Sequence, residues 1–347
     1  MKNWKNVMEK HSNEITLLGI FIILFVIFSV ASPDKFLTQT NLKTMMFQMP
    51  EFGLMAIAMM ITILTGGINL SITNGAALAS IVAAFVLVSP FAKGNQLLGV
   101  VVALVVCMGI SLLCGMANGV IIAYIGVAPM LVTLGTKTLF EGIGLNLTKG
   151  GSISGFVEQY SVLGNYYFLG IPVPMVCYAI LIIICYFLIE RSAWGNSIYM
   201  IGSNEVAARF SGIKTKQCLM KVYLLSGVLA GIAGVFITSR YNSAKVDYGS
   251  SYMMQSVTAV VLGGTSIAGG KGTIAGTVIA VAIIQILSTG LNILGVNRYI
   301  INIITGAILI GVLVFRFAVH RISDLKKSKN EYYKGQNCSG FAFYIAK

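Results

Sequence analysis

Thr65-Gly66-Gly67-Ile68-Asn69-Leu70-Ser71-Ile72-Thr73-Asn74-Gly75 lies in the middle of residues 52–92, a run without a charged side chain. One helical crossing of a bilayer uses about 20 residues, so a run of this length must break within itself. The break falls at Gly66-Gly67-Ile68-Asn69. Glycine opens dihedrals that other residues avoid, and Asn, Ser and Thr both donate and accept hydrogen bonds. Backbone released at membrane depth is tolerated only against protein or a water-filled path. The stretch therefore points to an all-α, polytopic transmembrane bundle with broken or re-entrant helices.

The rest of the chain agrees. Of its 347 residues, 10% are charged and 56% hydrophobic, and mean hydropathy is +0.85. A soluble domain carries about 25% charged residues and needs a polar cover. A cytosolic enzyme, a nucleic-acid binder and a disordered chain are excluded. The net charge of +13 gathers in the N-terminal arm, in residues 190–221 and in the tail from Arg316. That is the distribution of Lys and Arg in cytoplasmic loops of an inner-membrane protein, rather than a surface for polyanions. Cys107, Cys114, Cys177, Cys185, Cys218 and Cys338 form no CxxC pair and read as buried free thiols. His11 and His320 flank membrane segments, which makes a metal or catalytic role improbable.

About ten spans fit, near 15–31, 50–65, 74–92, 96–124, 129–148, 171–189, 220–239, 252–268, 273–295 and 299–315. Ser29-Val30-Ala31 resembles a signal-peptidase site, but the preceding apolar run suits an uncleaved first span. With the N-terminus inside, six crossings return the chain to the cytoplasm at residue 190 and ten at residue 316. Both arrivals coincide with basic segments. The chain thus divides into an arm (1–14), a transmembrane domain (15–316, with a cytoplasmic loop at 190–221) and a cytoplasmic tail (317–347).

A second Gly-Gly segment, Leu262-Gly263-Gly264-Thr265-Ser266-Ile267-Ala268-Gly269-Gly270-Lys271-Gly272, can be set under the first. Gly66, Gly67 and Gly75 then fall on Gly263, Gly264 and Gly272. Interrupted helices in corresponding places mark transporters, although ordinary turns at the membrane surface would give the same pattern. The second segment is not a phosphate loop, because GxxxxGK[ST] would require glycine at Thr265 and a hydroxyl residue at Gly272. Within the 190–221 loop, Asn204 is a fair N-cap for a short helix that Gly212 can end, of a kind that a groove on a soluble partner could receive.

Glu205-Val206-Ala207-Ala208-Arg209-Phe210-Ser211-Gly212-Ile213 resembles the coupling segment of ATP-binding-cassette importer permeases. Lys221-Val222-Tyr223-Leu224-Leu225-Ser226-Gly227, Ala259-Val260-Val261-Leu262-Gly263-Gly264-Thr265-Ser266, Gly290-Leu291-Asn292-Ile293-Leu294-Gly295-Val296, Leu64-Thr65-Gly66-Gly67-Ile68-Asn69-Leu70-Ser71 and Leu131-Val132-Thr133-Leu134-Gly135-Thr136 are similar to the ribose/simple-sugar branch, the branched-chain amino acid/ribose-type permeases. The likeness runs in order from about 15 to 316. It implies a permease subunit for simple sugars with four kinds of partner: a second permease subunit completing the pore, a cytoplasmic ATPase on residues 204–213, an extracytoplasmic sugar-binding protein, and the lipid bilayer. No cofactor is expected on this chain; ATP and Mg belong to the ATPase. Where the family commonly has Asp, this chain has Asn69, which removes a strong acceptor for sugar hydroxyls.

The expected path residues are Asn69, Ser71, Asn74, Thr265 and Ser266. The expected ATPase-coupling residues are Asn204, Glu205, Ala207, Ala208 and Gly212. Two other classes were weighed. A self-contained secondary transporter would carry ionisable groups inside the membrane; Glu51, Lys137 and Glu141 all read as interfacial. An intramembrane enzyme would need a His, Asp or Glu cluster that the sequence lacks.

Overall fold

The computed structural model describes residues 12–168, 170–297 and 299–314. The arm before residue 12 and the tail expected at 317–347 lie outside them, as do His11, His320 and Cys338. The helices, in chain order, are α1 (Ser12–Ala31), α2 (Pro33–Phe36), α3 (Gln39–Leu64), α4 (Ile72–Val88), α5 (Pro90–Gly94), α6 (Gln96–Val120), α7 (Pro129–Thr148), α8 (Glu158–Asn165), α9 (Val173–Tyr186), α10 (Ala193–Ser203), α11 (Glu205–Phe210), α12 (Thr215–Tyr241), α13 (Ser250–Leu262), α14 (Ile274–Ile293) and α15 (Tyr299–Val314). Wider π turns continue α6 through Ile121–Ile125 and α9 through Phe187–Arg191. Two short antiparallel pairs cap one end: β1 (Ile153–Ser154) with β4 (Ser243–Ala244), and β2 (Tyr167–Phe168) with β3 (Ile171–Pro172).

The chain is a multi-pass, all-α membrane protein. Among the described residues, six helices are long and apolar enough to cross a bilayer: α1, α3, α6, α9, α12 and α14. α4 and α15 are apolar but shorter. α7 carries Lys137 and Glu141, and α13 has only 13 residues. Every expected span coincides with a helix; ten crossings is not established by length and composition.

α3 is the axis of the bundle. From Pro50 to Leu64 all its residues are buried, against α9, α12, α13 and α14. α12 runs beside α3, α4 and α6. Small residues set that last approach: a Cβ on Gly115 would meet the Tyr223 carbonyl at 2.5 Å, and one on Gly227 would meet the Ser111 carbonyl at 2.7 Å. Close backbone contact at small residues is how helices associate where lipid removes the hydrophobic drive.

Two span boundaries differ from the sequence reading. α3 starts at Gln39 rather than near 50, capped by Thr38, whose Oγ1 accepts from the Asn41 amide at 3.3 Å. α12 starts at Thr215, so the 190–221 loop contracts to α10, α11 and their turns. Both helices extend past their apolar runs because capping and packing, not hydropathy, end a helix.

The repeat is real, but its register is shifted. Gly66 has φ 81° and Gly264 has φ 104°, the left-handed turn that glycine adopts without cost. Gly66 N–H donates to the Ile63 carbonyl (2.9 Å) and Gly67 N–H to the Thr62 carbonyl (3.2 Å); Gly264 N–H donates to Val261 (3.1 Å) and Thr265 N–H to Val260 (3.1 Å). The same cap therefore pairs Gly66 with Gly264 and Gly67 with Thr265, one residue from the glycine-on-glycine register. Gly263 instead has φ −63° and lets α13 approach α14, since its Cβ would lie 2.7 Å from the Gly276 carbonyl. Gly75 does not break a helix: it lies inside α4, where its N–H donates to the Ser71 carbonyl at 2.8 Å. Gly272 sits in the loop before α14, so the two are not equivalent.

Candidate functional site

The first break turns into the bundle. The Asn69 Oδ1 accepts from the Ser71 hydroxyl (2.8 Å) and amide (3.2 Å), and its Nδ2 donates to Ser226 Oγ of α12 (3.3 Å). Asn118 Nδ2 of α6 donates to Ser71 Oγ (2.7 Å), and Thr136 Oγ1 of α7 donates to Asn118 Oδ1 (2.7 Å). Thr133 Oγ1 donates to the Ile68 carbonyl at 2.8 Å. One buried polar chain thus ties the break to α6, α7 and α12. The space beside it measures about 10 Å³, hardly one water and far too little for a sugar. Of the five expected path residues, Asn69 and Ser71 belong to this sealed network. Asn118, Thr136 and Ser226 were not foreseen: each is an ordinary polar residue on a different helix.

Asn74 stands apart from that chain. Its Nδ2 donates to Glu141 Oε2 of α7 at 3.2 Å, and its Oδ1 accepts from Thr73 Oγ1. Glu141 and Lys137 are half-buried and straddle the middle of α7, a helix about 30 Å long. Glu51 is 1% exposed, and Arg240 grips it through Nε–Oε1 (2.8 Å) and Nη2–Oε2 (2.9 Å), with the Tyr252 hydroxyl at 3.3 Å. A lone charge at the centre of a membrane helix costs about 2.5–3.5 kcal/mol on insertion scales, so each needs a partner or water.

Thr265 and Ser266 are elsewhere, in the second break, on the face of the bundle that carries residues 204–213. Here Gly270 N–H donates to the Leu64 carbonyl (3.0 Å) and Asn13 Nδ2 to the Gly263 carbonyl (3.1 Å). The Tyr199 hydroxyl of α10 donates to the Gly272 carbonyl at 2.9 Å. Burial, then the nearby Glu190 carboxylate, push that hydroxyl up to about 12, so it stays protonated as a donor at neutral pH. Gly202 of α10 packs against the Leu64 carbonyl so closely that any Cβ would collide with it and would sit 2.5 Å from Gly270 N. The two breaks and α10 therefore meet backbone to backbone.

α11 continues from α10. Asn204 caps it, with Oδ1 accepting from the Ala207 amide at 2.9 Å, and Gly212 ends it at φ 83°. Glu205 and Ala207 are exposed, whereas Ala208 is buried beneath them and faces away from any partner. The most exposed groups were not singled out by the sequence: Phe210 at 88% and Val206 at 64%. A cavity of about 630 Å³ opens beside α11, lined by Thr65, Tyr124, Val127, Glu205, Arg209 and Lys214. Among the described residues, no group of His, Cys, Asp and Glu could hold a metal ion.

A family described as branched-chain amino acid transport system / permease component matches residues 41–313. The ribose import permease protein RbsC of Bacillus subtilis (strain 168) is 40% identical over 86% of this chain and 91% of its own length. The autoinducer 2 import system permease protein LsrD is 31% identical in both Photorhabdus temperata and Salmonella paratyphi A, over 91% of this chain and 95% of theirs. No solved structure matches.

Proposed function

The chain belongs to the branched-chain amino acid transport system / permease component family, and from that premise we propose that it is the membrane subunit of an ATP-binding-cassette importer for a monosaccharide, a ribose-like pentose or a related simple sugar. The observation that carries this reading is α11: a capped helix that is seated on the buried Ala208 and holds Phe210 and Val206 bare. An apolar pair on a short, firmly seated helix suits a groove on a soluble partner. The names of the relatives support a sugar as cargo.

In this reading the α11 face is cytoplasmic, the ten helices read as spans cross the bacterial inner membrane, and both termini are cytoplasmic. A second permease subunit completes the pore, and an extracytoplasmic binding protein delivers the sugar. ATP and Mg are used by the ATPase on α11. A self-contained secondary transporter is not retained, because the family and the named relatives are permease components of import systems.

The mechanism follows from the packing. Closure of the ATPase pushes α11, and α10 moves with it as one unit joined at Asn204. Gly202 bears on the Leu64 carbonyl and on Gly270, so one displacement reaches both breaks. α3 and α14 then tilt about their caps, and the path opens to alternate sides. Asn69, Ser71 and Asn74 line or steer it from the first break; Thr265 and Ser266 serve at its cytoplasmic end.

The test is uptake of labelled ribose by cells that express the whole importer. Uptake is expected to persist under a protonophore while ATP is maintained, and to stop when ATP is depleted. Uptake that survives ATP depletion and collapses with the proton gradient overturns the proposal.

A further inference from the structure

We propose that the outer face of α7, centred on Lys137, Thr138 and Glu141, lines the water-filled path and makes the direct contacts to a polyhydroxyl solute. The inference rests on the reading above and names the substrate-contacting residues within it.

The face is unpartnered within the chain. Leu134, Gly135, Thr138, Leu139 and Gly142 are exposed, and a Cβ built on Gly135 or Gly142 would meet nothing within 4 Å. The opposite side of α7 is committed: Thr133, Thr136 and Phe140 are buried against α4, α6 and the first break. The helix therefore has one packed side and one bare side, and the half-buried Lys137 and Glu141 stand along the edge between them, beside Leu134 and Thr138. The exposed surfaces of α1 and α6 show Ile, Leu and Val, and the bare side of α7 also carries Leu131, Leu134, Leu139 and Ile143. α7 adds an ammonium and a carboxylate one turn apart near the middle of its length, which the reading above places within the bilayer. Among the described residues, Lys137 has neither an ion-pair nor a hydrogen-bond partner, and Glu141 is bonded only by the Asn74 amide.

Charges at that depth are found facing a bundle interior or a water-filled cavity. A dry contact with a second copy fits poorly. About a twofold axis normal to the membrane each residue meets its own copy at equal height, so packed α7 helices would press Lys137 against Lys137. Water between them removes that repulsion.

The chemistry then selects the solute. Glu141 accepts from hydroxyls, Lys137 donates to hydroxyl and ring oxygens, and Asn74 and Thr138 do both. Donor and acceptor are about 6 Å apart on one helix face, the width of a sugar ring. Gly135 and Gly142 leave room for it.

The test uses the complete importer, with ATPase and binding protein, in proteoliposomes and labelled ribose as the probe. In Lys137→Gln and Glu141→Gln, ribose uptake at saturating binding protein is expected to fall about tenfold, the worth of one charge-assisted hydrogen bond, with ATPase stimulation by the binding protein within about twofold of the parent. Uptake equal to the parent in both variants overturns the proposal. Separately, Thr138→Cys and Gly142→Cys are expected to react with a charged, membrane-impermeant thiol reagent well above the parent chain, while Val105→Cys on the lipid side of α6 does not. Absence of labelling at both α7 positions, in the resting and ATP-trapped importer alike, also overturns it. If the parent complex carries no ribose, the sugar reading fails on its own and the labelling decides whether α7 faces water.

Discussion

At the ends of α3 and α13 the chain makes the same turn, a left-handed glycine with two amides folded back onto the last helical carbonyls. Beyond it the two loops part. Residues 65–71 drop inward, and Asn69 and Ser71 enter a buried chain of hydrogen bonds shared with α6, α7 and α12. Residues 263–273 stay at the α11 face, fixed by α1, α10 and the end of α3. One repeated turn thus serves two tasks. The first break is sealed by side chains and holds the interior together; the second is sealed by backbone and receives α10. In the proposed mechanism the first break serves the substrate side and the second the drive side.

The largest effect is expected where the two loops touch. Gly202→Val drives a side chain into the Leu64 carbonyl and Gly270. Overpacking against backbone costs about 3 kcal/mol or more, so thermal unfolding of the purified permease should shift down by many degrees and uptake should vanish. A variant with parent stability would show that the breaks are not held through α10.

Asn69→Ala comes next. It strips three hydrogen bonds from a buried network, leaving the Ser71 hydroxyl and amide protons without their acceptor and Ser226 without its donor, at a cost of about 2–3 kcal/mol. Thr265→Val, at the position one residue past the equivalent glycine in the second break, should be neutral or slightly stabilising. Thr265 Oγ1 is buried and has no hydrogen-bond partner among the described residues. Denaturation midpoints of the two variants measured side by side would expose any error in that asymmetry.

Gly66→Ala and Gly264→Ala should cost nearly the same, about 1–2 kcal/mol each, because they occupy the same left-handed position. A large inequality would return the repeat to its glycine-on-glycine register. The smallest effect belongs to Gly75→Ala. Its new Cβ would sit at an ordinary 3.5 Å from the Cys114 Cβ inside α4, and the gain in helix propensity, about 1 kcal/mol at most, offsets any crowding. Unaltered or raised stability would confirm that Gly75 is not part of a break.

Much of this was legible in the sequence. Long uncharged runs located the spans, a run too long for one crossing located the first break, and a second Gly-Gly segment set under it located the other. The N-cap at Asn204 and the stop at Gly212 were readable because capping is local chemistry. The register of the repeat was not, since adjacent glycines look alike until φ separates the left-handed one. The surroundings of the charges on α7 were not legible either, because a Lys four residues before a Glu says nothing of which neighbour each one meets. Only the packing of Thr133, Thr136 and Phe140 shows which side is bare. The Glu51–Arg240 pair joins residues far apart in sequence, and no pattern in either segment announces it. Phe210 was passed over because an aromatic residue in an apolar chain draws no attention until it is found exposed.

The most direct measurement is co-purification of the ATPase with Phe210→Ala permease, alongside ATP-driven ribose uptake. Truncating an exposed aromatic anchor at an interface typically costs about 2 kcal/mol or more. The account predicts at least about a tenfold loss of bound ATPase and of uptake, from a permease whose own stability is unchanged. Full recovery of the ATPase together with uptake at the parent rate would contradict it.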